Sequence, residues 1–385
     1  MAGAGIEPFR LRVPQGDLDD LRERLERTRW PDELDGVGWD YGAPLGYVRE
    51  LADHWRERYD WRAWEARLNA LAQFTTRIDG ERIHFVHVRS PEKGALALVL
   101  SHGWPGSIVE FLDVIAPLAD PLAHGGAARD AFHVVVPSLP GYGLSGPTHS
   151  RGWDPRRIAR AWAELMRRLG YDRYGAQGGD WGSRISTDLG LVDPEHVVGV
   201  HVNMLATGRR VDEAVLATLD DADRARLERL AAFNREGAGY QRIQATRPQT
   251  LAYGLTDSPV GLLAWIVEKF REWTDSTDLP EEAIDRDALL TNVTLYWLTG
   301  TIGSSIRLYY EFAHGPGLRE PPPPSEVPLG VAVFPREIAP AVRRLAEATH
   351  NVAHWTEMER GGHFAAMEQP ELLVEDVRAF FRALR

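Results

Sequence analysis

The residues best suited to covalent chemistry lie in Gly178-Gly179-Asp180-Trp181-Gly182-Ser183. This stretch follows a short strand signal, Arg173 to Gln177, and precedes a helical pattern. A small residue stands two positions before and two positions after Asp180. That is the pattern of a sharp strand-to-helix turn that lifts one side chain above a sheet as a nucleophile. Glycine suits the crowded backbone of such a turn. Here the lifted group is a carboxylate, so the chemistry is attack on an electrophilic carbon to form an ester. The following helix turns its free N–H groups and positive dipole end toward the turn, which favours an anion. Read by itself, the segment is equally a plain strand–helix turn with a capping Asp.

Two further segments change that balance. Ser101-His102-Gly103-Trp104-Pro105-Gly106-Ser107 directly follows an apolar strand, Leu96 to Leu100. A loop in that position supplies one oxyanion-binding N–H, and the residue after the nucleophile supplies the other. The expected donors are the backbone N–H groups of Trp104 and Trp181, and His102 is expected to hold the loop. Near the C-terminus, Gly361-Gly362-His363-Phe364 offers a general base. Glu337, 26 residues before His363, is the expected acid partner. Glu347 should fall in mid-helix, and Glu357 and Glu359 sit too close in sequence to reach back. The chain order is then nucleophile, acid, histidine, the order of hydrolases built around such a turn.

The elements that must position these groups can be read from periodicity. Leu18, Leu21 and Leu25 define an amphipathic helix that Asp17 is expected to cap, ending at Trp30-Pro31, and a Trp-rich helical segment runs from Leu45 to about Tyr59. Strand signals follow at Ile83–Val88, Leu96–Leu100, Phe132–Val136, Arg173–Gln177 and Val197–Val202, with a helix over Arg156–Leu169 closed by Gly170. Strands alternating with helices indicate a parallel, doubly wound α/β sheet. From about Met204 to Arg319 the pattern is helical and aromatic, and Pro321–Pro324 reads as a stiff connector. Strand signals return at Leu329–Phe334 and Val352–Trp355, before a closing helix from Glu371. A helical insertion between strands of one sheet is the layout of a lid.

Composition narrows the function classes. The net charge of −12, spread along the chain, argues against a nucleic-acid partner. With no cysteine, disulfides, thiol catalysis and zinc–thiolate sites are excluded. No apolar run approaches the roughly 20 residues that span a bilayer, and Met1 to Arg12 lacks the apolar core of a signal peptide. A cytoplasmic protein without a membrane partner is expected. Lysine occurs only at Lys93 and Lys269, which reads as codon bias. The sequence leaves the oligomeric state open, a homodimer included.

These motifs resemble the microsomal-type epoxide hydrolases, including the juvenile-hormone and bacterial members, over nearly the whole chain. The resemblance runs through Arg29-Trp30-Pro31-Asp32, Phe74-Thr75-Thr76 with Ile83-His84-Phe85, and His102 to Ser107. It continues through the Gly178-to-Ser183 turn, Gly239-Tyr240-Gln241-Arg242-Ile243-Gln244, Asp257-Ser258-Pro259-Val260-Gly261 and Arg360-Gly361-Gly362-His363-Phe364-Ala365-Ala366. It implies an α/β-hydrolase fold with a helical lid and an N-terminal helical module. The divisions would be 1–90 for the module, 91–205 and 325–385 for the core, and 206–324 for the lid. It implies Asp180 as nucleophile, Glu337 and His363 completing the triad, and Tyr240 and Tyr309 as lid tyrosines, with Tyr310 an alternative for the second. Membrane-bound relatives carry an N-terminal anchor helix, and because no such segment is expected here, their membrane localisation is not carried over. The implied substrate is a small-molecule epoxide, aryl or terminal, of the kind bacterial members open in secondary metabolism, enediyne pathways among them. No metal or organic cofactor is required. The rival readings are a haloalkane or haloacid dehalogenase, for which Asp180-Trp181 would fit a halide-binding tryptophan, and a non-catalytic ligand-binding relative, which should have lost part of the triad. The tyrosine pair and the N-terminal module favour the epoxide.

Overall fold

The computed structural model of the protein describes residues 5–207, 213–315 and 323–385. Nine strands among the described residues form one sheet: β1 Glu7–Phe9, β2 Gln73–Ile78, β3 Glu81–Val88, β4 Leu96–Ser101, β5 Phe132–Pro137, β6 Tyr174–Gly178, β7 Val197–Val202, β8 Ser325–Val333 and β9 His350–Glu357. Their order is β1-β2-β3-β5-β4-β6-β7-β8-β9. The pairs from β1 through β3 to β5 are antiparallel, and the rest are parallel. Strands β4 and β5 are almost unbroken apolar runs because helices cover both faces of the parallel part.

The N-terminal segment is helical over Gln15–Glu26, Leu45–Glu57 and Trp61–Asn69. It also supplies the antiparallel edge of the sheet, which the helical reading of its first 75 residues missed. Leu18, Leu21 and Leu25 are buried as their spacing requires. Asp17, however, lies within the first turn, and Pro14 occupies the N-cap position without a side-chain bond. Proline's fixed φ starts the helix there without a cap, and the Asp carboxylate still meets the positive end of the helix dipole.

Between β7 and β8 the lid folds as successive helices, among them Asp221–Ala232, Gly239–Thr246, Pro248–Asp257, Pro259–Trp273, Arg286–Thr299 and Arg307–His314. Arg319 and the Pro321-Pro322 half of the proline connector lie outside the described residues. Helix Arg286–Thr299 is pinned from both sides. Its Asn292 amide donates to the Pro105 carbonyl at 2.7 Å, and the Tyr296 hydroxyl donates to the Gly106 carbonyl at 2.8 Å. From the N-terminal segment, the Trp55 indole donates to Thr294 at 2.9 Å, and Tyr59 shares a 2.9 Å bond with Thr291. The first 75 residues therefore clamp the lid onto the loop after β4.

Backbone crowding at the turn after β6 explains its glycines. A Cβ on Gly182 would overlap the Ser101 carbonyl, one on Gly178 would overlap the Gly182 backbone, and one on Gly103 would overlap the Asp180 carboxylate. Gly182→Ala should destabilise the protein by about 1–3 kcal/mol, as overpacked sites do. Gly239→Ala, with open space around it at the exposed start of a lid helix, should stay within about 0.5 kcal/mol of the parent. Thermal unfolding of both variants checks this; equal midpoints would show that the turn is not sterically closed.

Candidate active site

Asp180 begins helix Asp180–Val192 immediately after Gly179 and takes φ +49°, a left-handed conformation that non-glycine residues seldom adopt. Such strain persists only where its surroundings enforce it. Ahead of it, the loop after β4 carries Trp104, whose backbone N–H donates to Asp180 Oδ1 at 2.7 Å. Trp181 sits in the first turn of the Asp180–Val192 helix, where N–H groups have no acceptor within the helix.

His363 stands on the other side of Asp180, with Nε2 3.4 Å from Oδ2. Its Nδ1 lies 3.0 Å from both oxygens of Glu337. The imidazole and the Glu337 carboxylate are each only 2% exposed. Glu337 follows β8, where its Oε1 also accepts the Ala339 N–H at 3.1 Å. The His363 loop is tied to the lid, because its N–H donates to the Trp273 carbonyl at 2.8 Å. Burial opposes charge on His363, but Glu337 and Asp180 together raise its pKa well above the ordinary value. Both carboxylates thus favour the charged imidazole against the cost of burial.

Tyr240 and Tyr309 come from the lid helices Gly239–Thr246 and Arg307–His314 and are 4% and 5% exposed. The Tyr240 ring stacks on Trp104 at 5.3 Å and 12°. Tyr309 is edge-on to Trp181 at 4.8 Å and to Trp104 at 5.8 Å. Tyr310 is 38% exposed and stacks on His314, so it is Tyr309 that the helix turns inward. The Tyr240 oxygen accepts from the Gln241 amide at 3.0 Å, which leaves its own proton available. The Tyr309 hydroxyl is buried without a hydrogen-bond partner among the described residues. Burial first, and then negative or polar neighbours including Asp180, raise the pKa of both phenols, so both stay protonated. His102 bonds the Gly103 carbonyl at 3.0 Å and accepts the Leu139 N–H at 3.2 Å. Burial pushes its pKa down to about 4, so it is a neutral brace for the loop.

Two acidic groups near the triad escaped the sequence reading. Glu110 follows the Trp104 loop, and its carboxyl turns under Gly106, where a Cβ would overlap it. Burial pushes its pKa up to about 8, with Asp180 adding to the rise, while His363 and the N–H groups of Gly103 and Ser107 act against it. Glu368 accepts the N–H groups of Phe364 at 2.9 Å and Asp275 at 2.7 Å, bracing the His363 loop, and burial pushes it up to about 7. A lone acid inside the apolar run Ile108-Val109-Glu110-Phe111-Leu112 was the signal available for the first.

A carboxylate on a strained turn, a histidine–glutamate pair beside it and two buried phenols packed on Trp104 and Trp181 are what a hydrolase that works through an ester on a carboxylate requires. Comparison with known proteins agrees. The family described as "Epoxide hydrolase N terminus" matches residues 6–111, and that described as "alpha/beta hydrolase fold" matches residues 97–244. A Stigmatella aurantiaca protein whose name assigns it provisionally to epoxide hydrolysis is 47% identical over 382 residues, covering 99% of this chain and 86% of its own. Epoxide hydrolase 1 of Sus scrofa is 37% identical over 98% of this chain and 89% of its own. The solved structure of Aspergillus niger epoxide hydrolase matches with a TM-score of 0.86 at 34% identity, over 98% of this chain and 96% of the other. The chain belongs to the epoxide hydrolase family, with the α/β-hydrolase fold, and it hydrolyses epoxides. No helix among the described residues is long and apolar enough to cross a membrane.

Because the folded pKa of Glu110 lies above the carboxylate value of an unfolded chain, the native state holds the extra proton between about pH 4.5 and about pH 8. That contribution to stability is complete below the lower value and is lost as pH rises through the upper one. Glu110→Gln is neutral throughout. Its melting temperature relative to the parent should therefore rise from pH 5 to about pH 8 and level off above that. A difference that does not change with pH would show that Glu110 does not titrate in this range.

Proposed function

We propose that Asp180 attacks a carbon of a small aryl or terminal epoxide. Its carboxylate forms the new C–O bond as the ring C–O bond breaks, and the electron pair goes to the epoxide oxygen. That oxygen takes a proton from Tyr240 or Tyr309. The resting His363 imidazolium then returns a proton to the phenolate, because esterified Asp180 no longer carries the charge that helped hold it. Neutral His363, oriented by Glu337, takes a proton from water, whose oxygen attacks the ester carbonyl. The tetrahedral oxyanion rests on the N–H groups of Trp104 and Trp181. Its collapse expels the diol oxygen, which takes the remaining hydroxyl proton, and leaves Asp180 as carboxylate beside imidazolium.

The observation that carries this reading is the continuous line Glu337–His363–Asp180, with the Trp104 N–H on the same carboxylate. The aromatic surroundings support an aryl or other apolar epoxide. Residues 91–205 and 325–385 would do the nucleophilic and basic work, residues 206–324 would supply the acids, and residues 1–90 would hold the lid in place. Every group named belongs to one chain, so the site needs no second subunit.

His363→Gln should form the ester and then stall, losing on the order of 10²–10⁴ in turnover, the range for general-base catalysis. Intact-protein mass spectrometry after incubation with styrene oxide should show the protein plus one substrate mass. Diol production at the parental rate without an adduct would overturn the assignment of the base. Bromide release from a bromoalkane, with no diol from styrene oxide, would favour the dehalogenase instead.

A further inference from the structure

Among the 44 basic residues of the chain only Lys93 and Lys269 are lysines. One of these two is buried in the lid. Lys269 lies on helix Pro259–Trp273 and is 3% exposed. Its ammonium sits over the Tyr240 ring and over the Trp265 ring, 5.1 Å from each centroid, and is ion-paired with Glu268. Trp265 is fixed in turn by its indole N–H, which donates to Gln244 at 3.1 Å. The ammonium, a compact charge on a flexible stem, is enclosed here by two ring faces and one carboxylate.

We propose that Lys269 is a positioning residue for ring opening, acting through Tyr240 by stabilising the negative charge that its ring acquires as the phenol gives up its proton. The ring has Trp104 stacked on it and the ammonium over it. A cation over an aromatic face is attracted more strongly once the ring carries phenolate charge, so the contact favours the transition state over the ground state. Asp180 and Glu272 act in the opposite sense on Tyr240. Attack converts Asp180 to a neutral ester, which removes its share of that opposition as charge develops on the phenol and leaves only that of Glu272. Glu268 offsets part of the ammonium's charge but leaves it over the ring.

The inference rests on the reading of Tyr240 as an acid, and a double-mutant cycle separates the two. The measured quantity is the single-turnover rate of ester formation with styrene oxide, in the parent, Lys269→Met, Tyr240→Phe and the combined variant. Lys269→Met should slow ester formation on the order of tenfold, the scale of a desolvated cation–ring contact. It should leave ester hydrolysis unchanged, and Lys269→Arg should restore part of the rate. In the Tyr240→Phe background the same substitution should cost nothing, because no phenolate forms there. An equal loss in both backgrounds would show a merely structural role and overturn the inference, as would no loss in the parent background. If Tyr240→Phe alone leaves ester formation unchanged, the acid assignment itself fails. Should Lys269→Met not fold, Glu268→Gln with Lys269→Met removes both charges of the pair together, and the same cycle is read on that double variant.

Discussion

The site is built around the hydrogen bond from the Trp104 N–H to the Asp180 carboxylate. That 2.7 Å contact spans two loops, one after β4 and one after β6. It forms only because neighbouring strands end side by side, with Ser101 in register with Gly178. It also requires a left-handed backbone at Asp180 and glycine at the crowded positions 103, 178 and 182. The lid helix Arg286–Thr299 then presses on the same loop through the carbonyls of Pro105 and Gly106. Asp180, the Trp104 loop and the lid are therefore one mechanical unit, and the N-terminal segment stiffens it by bonding to the lid helix.

Charge is the second constraint. His363 is one imidazole among several carboxyls: Asp180 and Glu337 in contact, with Glu110 and Glu368 close enough to act on it or feel it. Four ionised carboxylates around one buried cation would be costly. Burial resolves this by lifting Glu110 and Glu368 toward or beyond neutrality, while the two in contact favour the charged form of His363. Esterification of Asp180 removes one of those two charges. In the proposed reaction the same group then donates its proton after ring opening and serves as base for water.

Much of this was legible in the chain. The parallel strands were, because burial on both faces turns them into apolar runs such as Leu96-Ala97-Leu98-Val99-Leu100. The meeting of Asp180, Glu337 and His363 was, because their order and their places after strands are set by connectivity. The edge strands β1 and β2 were not: half-exposed and antiparallel, they lack an apolar run, and the sheet beside them decides their conformation. Tyr309 and Tyr310 could not be separated by type, since adjacent helical residues differ only in direction, and that direction is fixed by the packing of the last lid helix. Glu110 and Lys269 owe their roles to burial by residues distant in sequence. A lone acid in an apolar run and a rare lysine in an apolar helix were visible, but nothing in the sequence said what would enclose them.

The central claim is that Asp180 becomes covalently bonded to substrate. The direct measurement is a single turnover of styrene oxide in ¹⁸O-labelled water with enzyme in excess. The oxygen joined to carbon in that turnover should come from the Asp180 carboxylate, and water's oxygen should enter Asp180 when the ester is hydrolysed. The account predicts largely unlabelled diol and label in the peptide that contains Asp180. Fully labelled diol with an unlabelled Asp180 peptide would mean that water attacks the epoxide directly, and it would contradict the account.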